Sequence, residues 1–186
     1  MMMMLIAAMA VQAATPPAGP PTAARPLKDI PGVTVSYYDV AGKNQKQIKD
    51  ALKKLRPVGA NGEPQAIKSS WDVGAGVQKQ TEGDKCTIIG AKVTLEGKVE
   101  LPRLADPAKA DADTVKAWNE YVARLENVAA LDFNFVSDRM PDIEKALTGQ
   151  TCDAASGAMS AAVDRLAAQE RGYMASLAPP AAAPQK

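Results

Sequence analysis

The sequence predicts a single α+β domain: a strand and a helix, then an antiparallel sheet, then two or three long helices packed on that sheet. Three observations carry this. Val33–Val40 and Cys86–Leu101 alternate apolar with polar residues, the period of two expected of half-buried strands. From Asp111 onward apolar residues recur at every third or fourth position instead, as in helices with one buried face. Between Pro/Ala-rich ends, roughly 150 residues remain, enough for one domain with its own core. The expected organisation is a signal peptide over 1–13, a linker over 14–30, the domain over 31–177 and a tail over 178–186.

Met1 to Val11 is an unbroken apolar run too short to span a bilayer. Gln12-Ala13-Ala14 follows, and Val11 and Ala13 suit the −3 and −1 positions for cleavage after Ala13. No Lys or Arg precedes the run, and no cysteine lies near the cleavage region to accept a lipid anchor. The expected destination is the periplasm or the medium. Thr15 to Pro26 and Ala178 to Lys186 lack periodicity and read as solvated spacers.

Val33 to Val40 is rich in β-branched and aromatic residues, and Gly42 ends that strand. Asn44 is placed to cap a helix reaching about Leu55, with Ile48, Leu52 and Leu55 on one face. The opposite face carries Lys43, Lys46, Lys49, Lys53 and Lys54, and Pro57 with Gly59–Gly62 stops the helix. Ala66 to Gln80 alternates around Trp71 and Val73, with Gly74 and Gly76 suggesting a bulge or bend. Cys86 to Leu101 is the clearest strand, with Gly90 and Gly97 expected to interrupt its regularity. In the helical half Asp111 or Asp113 can cap, Pro141 should split the run near Asp138–Met140, and Asp153 should cap a last helix to about Leu177.

The chain contains no histidine and two cysteines, Cys86 and Cys152. In an exported domain two cysteines most simply form one disulfide; the alternative is a pair of buried thiols. Without imidazole, Ser/His and Cys/His nucleophile pairs are impossible, and neither G-x-S-x-G nor a phosphate-binding glycine loop is present. Residues 25–109 hold fifteen Lys/Arg against ten Asp/Glu, a net of +5, while residues 111–176 hold six against eleven, a net of −5. The halves complement each other, and a near-neutral whole does not favour nucleic acid.

Trp118-Asn-Glu-Tyr121-Val-Ala-Arg-Leu125, followed by Val128 to Asp132, resembles the lead-in and the H-E-x-x-H helix of a bacterial family of predicted secreted Zn-dependent proteases, domain of unknown function 922. The likeness extends along the chain as an ordered series of landmarks. These are Tyr37-Tyr-Asp-Val-x-Gly42, Trp71, Cys86, Pro102, Cys152 and Gln169-x-x-x-Tyr173. It implies a zincin-like fold and a Cys86–Cys152 disulfide.

The chemistry departs from the pattern. A zincin helix needs histidines at i and i+4 on one zinc and a glutamate to deprotonate the bound water. Here those positions are Val128, Asp132 and Ala129. Of the family's Y-D-x-x-T-x-H-G stretch only Tyr173 remains. No catalytic residue, metal or cofactor carries over, and Glu126, even after a register shift, lacks histidine partners. Asp132 lies on the apolar stripe, so it either joins a polar pocket where the metal would sit or turns outward to solvent or Arg139.

The expected function is that of an exported, noncatalytic member serving as a binding or scaffold module for a periplasmic protein or peptide, without stable membrane insertion after signal cleavage. Asp132, Trp118, Tyr121 and Tyr173 are its candidate binding residues. The alternative is an active envelope hydrolase with an unrecognised carboxylate site or a metal supplied by a partner. A third reading is a structural envelope protein that binds through the lysine-rich helix.

Overall fold

The computed structural model describes residues 25–58, 62 and 65–177. The signal segment, most of the N-terminal spacer, the greater part of the Gly59–Gly62 turn and the C-terminal tail lie outside these residues. The architecture is α+β. Strand β1 (Val33–Val40) and helix α1 (Gln45–Leu55) are followed by β2 (Lys68–Glu82), β3 (Lys85–Leu104), α2 (Ala112–Ser137), α3 (Met140–Leu147) and α4 (Ala155–Leu177). Short 3-10 turns precede β1 and α2.

The sheet order is β1-β3-β2. β2 and β3 form the expected antiparallel hairpin, but β1 runs parallel to β3, pairing Val33 with Gly97 and Val40 with Leu104. The sheet is therefore mixed, not purely antiparallel. Alternation reports which residues face the core and is blind to strand direction.

β3 organises the core. Val93, Leu95, Gly97, Val99 and Leu101 face the helices, while Lys92, Thr94, Glu96 and Lys98 face solvent. The irregularity expected at Gly74 and Gly76 lies further along. Gln78 pairs with Gly90 and Lys79 with Ile88, so Ile89 is an extra residue. That one-residue bulge reverses the facing of the strand, and Ile88 points inward although it is five residues from Val93.

Helices α2, α3 and α4 cover this face through Phe133, Phe135, Val136, Ile143, Leu147 and Leu166. Gly97 admits α2: a Cβ there would lie 2.6 Å from a ring carbon of Phe133. A second, smaller core lies at the far end of the sheet, where Val40 and Leu104 meet Ile48 and Leu52 of α1 and Trp118 of α2.

The local signals act as their chemistry requires. Asn44 Oδ1 accepts from Gln47 N at 3.0 Å, and Asp111 Oδ1 accepts from Thr114 N at 2.7 Å. Pro141 sits in the first turn of α3, where its missing N–H leaves no bond unmade. Before α4 it is the Thr151 hydroxyl, not Asp153, that accepts from Ala154 N.

Packed structure begins before residue 31. Leu27 and Ile30 are buried, and Arg25 Nε donates to Asn134 Oδ1 at 2.9 Å while Asn134 Nδ2 donates to Arg25 O. A disulfide joins Cys86 at the start of β3 to Cys152 before α4, with Cα atoms 5.4 Å apart. Cys152 N donates to Cys86 O and Ile88 N to Gln150 O, so this connection runs beside β3.

Candidate functional site

The positions that the sequence resemblance sets against a zinc-binding helix, Val128, Ala129 and Asp132, lie in the C-terminal half of α2, over the main core. Val128 is 42% exposed and Ala129 is buried; neither side chain has a donor atom. Asp132 is 7% exposed. It neither reaches solvent nor pairs with Arg139, whose guanidinium sits 3.5 Å from the Phe135 ring centroid and donates to Phe135 O. Asp132 faces Glu170 of α4 instead. Burial is the larger reason that its carboxyl is pushed up to about 7, and the Glu170 charge and a hydrogen bond to Glu170 add to it. Even so, Asp132 Oδ1 is buried without a hydrogen-bond partner among the described residues.

This set does not fit zinc. A zinc site requires three or four protein ligands, and among the described residues no group of three or more His, Cys, Asp or Glu is placed to hold a metal. Asp132 and Glu170 supply only two carboxyls, and the cysteines are bonded to each other. A buried carboxyl titrating near neutrality beside a carboxylate has the right pKa for proton transfer. Asp132 itself is only 7% exposed, while Glu170 is partly exposed, and neither residue lines the cavities that flank α2.

The four candidate binding residues separate into two places. Tyr173 of α4 stacks on Phe135 at 4.5 Å between centroids, so it lies with Asp132 at the α2–α4 contact. Trp118 and Tyr121, with centroids 5.7 Å apart, belong to the smaller core and the wall facing α1. There Tyr38 donates to Ala66 O, and burial, reinforced by Tyr121, pushes its hydroxyl up to about 12.

Between α1 and α2 lies a groove of about 370 Å³ lined by Ile48, Leu52, Trp118 and Tyr121, with Lys49, Lys53 and Arg56 along it. On the other side of α2, two adjoining hollows of about 380 and 490 Å³ share Tyr37, Ala123 and Glu126.

Glu170 was not identified from sequence. Its signal was available, because it stands three residues before Tyr173, on the same helix face as that landmark. Arg56 was missed as the third member of a cationic row that continues past the end of α1.

The profile of a family described as "Bacterial protein of unknown function (DUF922)" matches residues 35–175, nearly the whole described domain. No curated protein and no solved structure is significantly similar to the chain.

Proposed function

The chain belongs to the DUF922 family, and we propose that within it this protein is a noncatalytic, exported binding or scaffold module whose partner is a protein or peptide of the cell envelope. The observation that carries the proposal is the fate of the three motif positions. Val128 faces solvent, Ala129 is buried in the core, and Asp132 is engaged by Glu170 of α4. Even counting Glu170 with Asp132, a water-activating metal would need at least one further ligand, and none is grouped with them among the described residues.

Export is supported by the apolar N-terminal run with its Ala13-Ala14 junction. The Cys86–Cys152 disulfide also suits an oxidising compartment. No described helix is long and apolar enough to cross a membrane.

The Asp132–Glu170 pair favours a second reading, an active hydrolase with a carboxylate site. It ranks lower because Asp132, the member whose pKa suits proton transfer, is only 7% exposed at the α2–α4 contact. Incubation of the mature protein with casein tests the choice. The proposal predicts no cleavage; cleavage abolished by a chelator, or by Asp132→Asn, would overturn it.

A further inference from the structure

Helix α1 carries two neighbouring rows at helical spacing. Ile48 and Leu52 are buried against Val40, Leu104 and Trp118. Lys49, Lys53 and Arg56, each one or more positions further round, are exposed and border the groove between α1 and α2. Its volume of about 370 Å³ falls within the range of roughly 300–1,000 Å³ usual for small-molecule sites. Ile48, Leu52, Ala117 and Trp118 make the lining largely apolar, and none of the lining residues is acidic. Among the described residues none of the three cations takes part in an ion pair. Like charges one turn apart on a helix repel, and no carboxylate in this groove offsets that repulsion. Tyr121 also lines the groove, and its hydroxyl is buried without a hydrogen-bond partner among the described residues. An apolar trough under a row of uncompensated cations is complementary to a molecule with an apolar body and a negative end.

We propose that the α1–α2 groove binds a small amphiphilic anion, an alkyl or aryl carboxylate, with its body against Ile48, Leu52 and Trp118 and its charge held by Lys49, Lys53 and Arg56. The orphaned Tyr121 hydroxyl gives the groove hydrogen-bonding capacity for a polar substituent. The site shares no residue with Val128, Ala129, Asp132 or Glu170, so it stands or falls independently of the noncatalytic reading.

Titration calorimetry of the mature protein with decanoate, kept below its micelle threshold, tests this. The expected result is saturable binding of one decanoate per chain, with decanol and decyltrimethylammonium much weaker. In Lys49→Glu/Lys53→Glu the affinity for decanoate should fall about tenfold or more, with thermal unfolding unchanged because both side chains are exposed. If that variant does not fold, Lys49→Gln/Lys53→Gln should show a smaller loss in the same direction. Absence of saturable binding, equal affinity for decanol and decanoate, or binding only to phosphatidylglycerol vesicles and not to dispersed decanoate would each overturn the proposal.

Discussion

Replacing Asp132 with asparagine should stabilise the protein at pH 8 and leave it nearly unchanged at pH 4. In the unfolded chain this carboxyl ionises near its ordinary 3.8, whereas in the fold it ionises at about 7. Between those values the folded state holds a proton that the unfolded state has released, so stability falls as pH rises through this window and levels off above it. The interval of about three pH units, at ~1.4 kcal/mol each, sets a ceiling of ~4 kcal/mol on the cost of ionised Asp132. Asparagine is close in shape, carries no charge at any pH, and can donate its amide hydrogens to Glu170. Allowing for local relaxation, the variant should gain ~2–4 kcal/mol at pH 8. Urea unfolding of both proteins at several values between about pH 4 and pH 8 measures this, and their difference cancels the other titrating groups. Glu170→Gln should act in the same direction but more weakly, since burial outweighs the Glu170 charge. A wild-type–variant difference that is constant with pH, or that shrinks as pH rises, would refute the reasoning.

Gly97→Ala should destabilise the domain by ~1–3 kcal/mol, because the new methyl would lie 2.6 Å from Phe133 and 3.0 Å from Val33. Gly172→Ala, in α4 with nothing within 4 Å of the added methyl, should instead stabilise it by ~0.5–1 kcal/mol; thermal unfolding separates the two. Removing the disulfide with Cys86→Ala/Cys152→Ala releases a constraint across a separation of 66 residues and should cost ~4 kcal/mol in the chain-entropy account. A variant as stable as the parent would contradict this. N-terminal sequencing of envelope material should begin near Ala14, and an intact Met1 would remove the basis for export.

What the sequence made legible depended on signals that are local. The alternation of β3, the caps at Asn44 and Asp111, and the break at Pro141 are each decided within a few residues. The pairing of Cys86 with Cys152 was legible through compartment and family likeness, which do not depend on spatial proximity being visible in the sequence. The parallel placement of β1 was hidden because the same alternating pattern serves either direction. The bulge at Ile89 was hidden for a related reason: two adjacent isoleucines do not reveal which one faces inward.

Leu27 and Ile30 were assigned to the spacer because two apolar residues beside prolines make no periodic pattern, yet Arg25 and Asn134 fasten that stretch to α2. At the candidate site, the absence of histidine and glutamate at Val128, Ala129 and Asp132 is read directly from the sequence. The burial of Asp132 against Glu170 was not, since it depends on how α2 and α4 are rotated against each other.

The central claim is that Val128, Ala129 and Asp132 do not form part of a metal site. Elemental analysis of the mature protein after equilibration with zinc and exhaustive dialysis tests it most directly. The account predicts well under one zinc per chain and thermal unfolding that a chelator leaves unchanged. One zinc per chain surviving dialysis, with a fall in stability when it is stripped, would contradict it.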